Sequence, residues 1–186
     1  MKTILMTHNR HKFYEIKNLA KNYGVEFRFD AAIFPCFNGN KKPVELRVTP
    51  EEAIEKEFSD KETFNQWKNY LDKIKEVPVS DYLYQCGAGL TTFHIDPFGN
   101  LQPCQLITGL KYNLLEGGFL NGWHKVIPDI REKKAGDNYP CNRCDKMVLC
   151  GLCPAFFKLE TGSEEICSDY LCAMGHQRYK KLKGAI

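Results

Sequence analysis

The stretch CNRCDKMVLCGLCP, Cys141 to Pro154, holds four cysteines separated by gaps of two, five and two residues. Thiolates at that density are soft ligands, and soft ligands select zinc or iron–sulfur chemistry over magnesium or calcium. Zinc sites built from two C-x2-C pairs space the pairs by roughly 15–20 residues. Here five residues intervene, too few for easy closure on one tetrahedral ion. The short gaps, and Cys153 directly before Pro154, fit a ferredoxin-type run, whose fourth cysteine reaches over to a second cluster. On that logic Cys141, Cys144 and Cys150 ligate one cluster and Cys153 another. The first needs a thiolate from downstream, Cys172 or Cys167. The second needs upstream partners, Cys86 and Cys104. Spacing favours iron–sulfur and leaves zinc and metal-free reduced thiols open.

Composition narrows the setting. The chain has 186 residues and nine cysteines, and Cys36 is the only one before Cys86. A secreted disulfide scaffold is normally shorter and follows a signal peptide. Met1 to His8 turns polar too soon for such a peptide's apolar core. A reducing, cytoplasmic setting is therefore expected, where clustered thiols are more often metal ligands. The formal charge of +3 is too mild to argue for nucleic acid. No stretch approaches the roughly 18 apolar residues of a membrane span. Neither nucleic acid nor a membrane is an expected partner. The 43% hydrophobic content suffices for a core. The skew of the cysteines sets a boundary near residue 80, giving parts 1–80 and 81–186.

The elements that position these cysteines can be read from periodicity. Lys2 to Met6 reads as a strand. Phe13, Ile16, Leu19, Ala20 and Tyr23 recur at helical spacing, and Gly24 stops the helix. Val25, Phe27 and Phe29 alternate with polar residues as a second strand. Strand, helix, strand with short connections is a parallel βαβ unit. Thr49-Pro50-Glu51-Glu52 opens a helix with a capping box, and Ser59 to Glu62 opens another that runs to about Lys75. Two parallel strands alone make neither a barrel nor a doubly wound sheet, whose faces must both be covered.

In the second part, Thr91 to Pro97 and Leu101 to Leu106 flank Phe98-Gly99-Asn100 as a β-hairpin. That hairpin brings Cys86, just before it, towards Cys104 on its second strand. Helices are expected at Phe119–Ile127, Pro154–Leu159 and Tyr170–Lys183. Cys172 and His176 share a face of the last. The fold class is α+β: a βαβ remnant, then a hairpin and short helices around two clusters. Metal binding is expected to supply much of the second part's folding energy.

The order C-x12-G-x4-C (Cys86, Gly99, Cys104), C-x2-C-x5-C-x2-C (Cys141, Cys144, Cys150, Cys153) and a late Cys172 resembles the SPASM domain. That domain is the C-terminal extension of a large group of radical S-adenosylmethionine (radical SAM) enzymes. The likeness covers residues 86 to about 180. Cys86-Gly-Ala-Gly, Ile95-Asp-Pro-Phe-Gly99 and Pro103-Cys104 fit it too. Residues 1 to 60 more weakly resemble the last strands and helices of the partial TIM barrel that precedes SPASM. The resemblance implies two auxiliary [4Fe–4S] clusters. Cys86, Cys104 and Cys153 hold the first, and Cys141, Cys144, Cys150 and Cys172 the second. Cys167 is the alternative to Cys172. The first cluster then keeps one iron open, or takes Cys36 or Cys167. The final C-x2-C departs from the C-x3-C common in the family.

The C-x3-C-x2-C loop that binds and cleaves S-adenosylmethionine in that family is absent. The chain alone is therefore not expected to cleave it; S-adenosylmethionine belongs to a complete parent enzyme. The missing barrel half is expected upstream or on another chain, with truncation favoured. In the parent the SPASM clusters relay an electron or position a substrate, with a peptide or protein as the implied substrate class. Two other functions remain in play at this stage. One is a stand-alone iron–sulfur protein for electron transfer or peptide docking, and the other a structural zinc module. Among other residues, Asn9 and Arg28 lie near the ends of the two barrel-like strands, where cofactor-facing groups collect. Asp30 is placed with them. Capping or structure is the competing role for all three. His8, His11 and His94 read as solvated, and Trp67 and Trp123 as core. Gly87, Gly89, Gly99 and Gly151 read as giving the backbone room beside the clusters.

Overall fold

The computed structural model describes residues 1–74 and 80–184. It is a mixed structure of helices with small sheets, compatible with the α+β class. The chain forms two compact units. One comprises Met1–Val77, Lys146–Gly151 and Ser168–Ile186; the other comprises Pro78–Asp145 and Leu152–Cys167.

The first unit opens with the βαβ motif. Strand β1 (Lys2–Ile4), helix α1 (Phe13–Asn22) and strand β2 (Arg28–Asp30) follow in order, and β1 pairs with β2 in parallel. Both strands are shorter than their alternation suggests. Gly24 closes α1 with φ of 64°, the left-handed conformation glycine adopts without a Cβ penalty. Phe13, Leu5, Ala31, Val48, Ala53, Ile54 and Met174 form the buried core, with Phe27 and Phe29 packed against it. Phe13 meets Phe29 edge-on at 4.9 Å between ring centres, a favoured aromatic geometry.

Two helices follow. Thr49 caps α2 (Pro50–Phe58) by accepting from the Glu52 N–H at 3.2 Å. The reciprocal half of the box is missing, because the Glu52 carboxylate pairs with Arg10 instead. Helix α3 (Lys61–Lys73) starts after Asp60, one residue later than a Ser59 cap requires. Ser59 instead donates its hydroxyl to the Lys56 carbonyl. The expected helix end at Lys75 lies outside the described residues.

Two later pieces of chain complete this unit. Helix α5 (Met147–Cys150) and helix α7 (Asp169–Lys183) pack on each other, and α7 also packs on α2 and α3. Tyr170 anchors α7 by donating to the carbonyls of Ala31 and Val48 at 3.2 and 3.1 Å. Arg178 donates to Glu57 at 2.7 Å and to the Leu149 carbonyl at 2.6 Å, and its guanidinium covers the Trp67 ring.

In the second unit, strands β3 (His94–Ile95), β4 (Asn100–Gln102) and β5 (Tyr112–Asn113) form an antiparallel sheet in that order. The hairpin turn is built by Asp96. Its carboxylate accepts from the Phe98 and Asn100 N–H groups and from the Asn100 side chain. That bonding holds its pKa below the usual carboxylate value. Gly99 sits in the turn with φ of 81°. Strand β5 carries no alternation of its own and was not expected. Phe93 and Ile95 are exposed and His94 half-buried, so the hairpin's faces are not those its alternation suggests. Phe93 packs instead with Phe119 and Trp123.

Helix α4 (Leu114–Arg131) is longer than the expected Phe119–Ile127. Asn113 caps it, and Gly118 breaks it into two with φ of 74° and ψ of 171°. It packs on β4 and β5. Helix α6 (Pro154–Thr161) completes the unit.

The Arg178–Glu57 pair is largely desolvated, with side-chain exposures of 11% and 16%. Losing one partner of a fully buried pair costs about 3–5 kcal/mol; residual solvent contact lowers that here. Arg178→Ala is expected to cost about 2 kcal/mol in urea unfolding. A loss within the roughly 0–1 kcal/mol of a surface pair would contradict the buried role.

Candidate metal centre

Three separate segments of the second unit deliver Cys86, Cys104 and Cys153. The first is fixed by an arginine. Residues near Tyr82 bridge antiparallel to Lys134, with the Leu83 N–H donating to the Lys133 carbonyl at 2.9 Å and the Ala135 N–H to Asp81 at 2.8 Å. From the end of α4, Arg131 then donates to the carbonyls of Tyr84 and Cys86, both at 2.9 Å, and to that of Ala88 at 3.5 Å. A planar guanidinium holding three carbonyls sets the course of the Cys86 loop. Gly89 lets that loop lie against α4, since a Cβ there would meet Ile127 at 2.8 Å.

Cys104 lies just past β4 in a bend, not on the strand itself. The Ile107 N–H donates to the Cys104 carbonyl at 3.1 Å, and the backbone amides of Leu106 and Ile107 favour its thiolate. Cys153 is the N-cap of α6, where its sulfur accepts from the Phe156 N–H at 3.4 Å. A helix N-terminus and N–H donors favour a thiolate. Burial outweighs them: it raises the Cys104 thiol, and it pushes Cys153 up to about 11. Cys153 is also opposed by Cys104 and Cys86, and Cys104 by Cys86. The three sulfurs are thus close enough to resist one another's ionisation. Cys86 is exposed, and the other two are partly covered.

Tyr84 borders the same thiols. It is 1% exposed, and its hydroxyl lies beside the Glu164 carboxylate as a hydrogen-bond partner. Its phenol is raised above the usual value by burial, then by Glu164 beside it, with smaller contributions from Cys153 and Cys104. Glu164 is itself held by Lys133 and Lys158.

The second set divides between the units. Cys141 and Cys144 belong to the second unit, at the two ends of one turn in which the Cys144 N–H donates to the Cys141 carbonyl. In that unit the Cys141 and Cys167 sulfurs are 3.0 Å apart. Cys150 and Cys172 belong to the first unit. There α7 presses on Cys150 at Gly175, where a Cβ would meet the Cys150 Cβ at 2.7 Å. Gly175 is three residues from Cys172 and shares its face, so Cys150 and Cys172 flank one α5–α7 contact. Gly151 closes α5 in the left-handed conformation, with open space around it.

Among the described residues, no group of three or more Cys, His, Asp or Glu side chains is arranged to hold a single metal ion. A cubane cluster spreads its thiolates more widely than one ion does. The donor set of Cys86, Cys104 and Cys153 fits such a cluster. It is all soft sulfur, and the Phe156 N–H meets the Cys153 sulfur as N–H groups bond cluster sulfurs.

The other candidate residues have local roles. Asn9 ties off β1, accepting from the Met6 N–H and donating to the Ile4 carbonyl, both at 2.8 Å. Arg28 is exposed, pairs with Glu26 and opens β2. Barrel sites collect at the opposite, C-terminal ends of strands. Asp30 accepts from the Ala32 N–H. Cys36 and His176 are exposed. Trp67 and Trp123 are half-buried, and Trp67 donates to Glu57 at 3.0 Å. Sequence reasoning missed Arg131 and Tyr84. Neither belongs to a spacing pattern, and each acts through a contact between residues far apart in the chain.

No family model matches the chain, and no curated protein matches it. Among the described residues, no helix is long and apolar enough to cross a membrane.

Burial and exposure predict a labelling pattern. In the metal-free chain iodoacetamide at about pH 8 is expected to label Cys36 and Cys86 quickly and Cys153 slowly, since the thiolate is the nucleophile. Loading with iron and sulfide is expected to protect Cys86 and leave Cys36 reactive. Equal labelling of Cys86 before and after loading, read by peptide mass spectrometry, would exclude it as a ligand.

Proposed function

We propose that this chain is the C-terminal portion of a radical SAM/SPASM enzyme and binds two auxiliary [4Fe–4S] clusters. The observation that carries this reading is the meeting of Cys86, Cys104 and Cys153, from three segments, in one partly buried thiol site. Three thiolates on this first cluster leave one of its irons without a ligand among them. For the second cluster the resemblance implies Cys141, Cys144, Cys150 and Cys172, with Cys167 as the alternative to Cys172. A cluster so held supplies one-electron transfer, and an open iron supplies a Lewis acid for a substrate.

The chain's own residues have distinct tasks in this reading. Arg131 fixes the Cys86 loop. The N-terminus of α6 and the Phe156 N–H favour the ionised Cys153. The hairpin, with its Asp96 turn, delivers Cys104. Binding metal strips protons from thiols that burial keeps neutral, so loading strengthens as pH rises. The clusters relay an electron from a substrate or position it, and the substrate class is a peptide or protein. Cleavage of S-adenosylmethionine falls to a complete parent enzyme carrying the C-x3-C-x2-C loop.

Two variants test the assignment. Protein is loaded without oxygen, reduced with dithionite and followed by electron paramagnetic resonance. Cys104→Ala is expected to remove one cluster signal and Cys172→Ala the other, each with the loss of about half the iron. If Cys172→Ala keeps both signals and Cys167→Ala removes one, Cys167 is the ligand. Loss of both signals in every variant, or of neither, would overturn the two-cluster assignment.

A further inference from the structure

We infer that Cys141 and Cys167 form a thiol–disulfide couple, a modification site whose oxidant is a small-molecule disulfide and whose closure withholds Cys141 from cluster binding. The effect on cluster binding rests on the cluster reading above; the couple itself does not. The two sulfurs are 3.0 Å apart within one compact unit. A covalent S–S bond spans about 2.05 Å, so closure asks for roughly 1 Å of movement. Among the described residues, no third Cys, His, Asp or Glu side chain joins the pair as a single-ion site.

The fold brings the two segments together before the sulfurs meet. Lys133 pairs with Glu164. The Gly136 N–H then donates to the Glu165 carboxylate at 2.9 Å. A Cβ at Gly136 would meet that carboxylate at 2.9 Å, so the bare backbone permits the approach. Tyr139 turns the chain back by donating to the Gly136 carbonyl at 3.0 Å. Cys141 and Cys167 lie just beyond these two bridges. Exposure divides their roles. Cys141 is 6% exposed and Cys167 half-buried. An oxidant in solution therefore reaches Cys167 first, and Cys141 is the resolving thiol behind it.

The step is thiol–disulfide exchange. The Cys167 thiolate attacks one sulfur of the small disulfide. That S–S bond breaks, and its other half leaves as a thiol. The Cys141 thiolate then attacks the Cys167 sulfur, and the second half leaves as a thiol. The two cysteine protons end on the two released thiols. The protein gives up two electrons and the small disulfide takes them.

Cys141 belongs to the second cluster's ligand set whether Cys172 or Cys167 completes it. The closed couple leaves that set short of a thiolate, while Cys86, Cys104 and Cys153 keep theirs. The couple thus gates the loading of one cluster and not of the other.

The test uses the full chain, metal-free and without oxygen. One sample is incubated with oxidised glutathione, a second with dithiothreitol, and both are desalted. Alkylation and peptide mass spectrometry, with fragmentation to separate Cys167 from Cys172, are expected to find a Cys141–Cys167 cross-link in the first sample alone. Each sample then receives a preformed synthetic [4Fe–4S] cluster with small thiolate ligands, in stoichiometric amount, with no sulfide or reductant added. The oxidised chain is expected to take up about half the iron of the reduced one, the share of one cubane in two. Its remaining electron paramagnetic resonance signal should be the one that Cys104→Ala removes, and dithiothreitol should restore the other.

No cross-link, or Cys141 joined to Cys144 instead, would overturn the couple. A cross-linked chain that still takes up both clusters would overturn the gate. A reduced chain that takes up no cluster, beside an oxidised one that carries the cross-link, would overturn the cluster reading and the gate with it, and would support the couple.

Discussion

Ionising a thiol inside a protein is unfavourable until something with positive charge compensates it. That constraint organises the cysteine-rich part of this chain. Cys153 and Cys104 are covered enough that burial dominates the helix end and the N–H groups that favour their thiolates. Their neighbours add repulsion rather than relief. A soft metal centre reverses the balance, because it binds the thiolates directly and displaces their protons. The surrounding features then have a common purpose. The Arg131 clamp, the Asp96 turn and the start of α6 each hold one ligand segment in place.

The first unit solves a different problem. Its two parallel strands are too few to bury their own faces, and the core is completed by side chains from helices. Met174 of α7 enters the core with Phe13 and Ile54. Tyr170 bonds the loops that follow β2, and Arg178 neutralises Glu57 away from water. Helix α7 therefore carries structural work on one stretch of its surface and Cys172 on another. Gly175 joins the two roles, since only a residue without a side chain lets α5, with Cys150, come so close.

Much of this was legible in the residues themselves. Apolar spacing gave α1, alternation gave β2, and the short connections gave the parallel pairing of β1 with β2. Thr49 before Pro50 located the start of α2. Cys86, Cys104 and Cys153, which cysteine order grouped, oppose one another's ionisation. What escaped has physical causes. Strand β5 is two residues long and exists only because β4 offers an edge. A helical turn at Leu114–Gly117, set off by the break at Gly118, precedes the expected helix from Phe119. Cys104 falls past its strand because β4 ends early. Arg131 and Tyr84 escaped because their importance lies in contacts across the fold. The 3.0 Å approach of Cys141 to Cys167 likewise depends on tertiary placement that no spacing rule contains.

The claim that binds this account together is that the cysteines hold iron and sulfide. The most direct measurement is iron, acid-labile sulfide and zinc per chain in protein purified without oxygen. The account predicts about eight irons with matching sulfide, as two cubane clusters require, and little zinc. One or two zincs with no sulfide would contradict it and make the Cys141–Cys153 run a structural element.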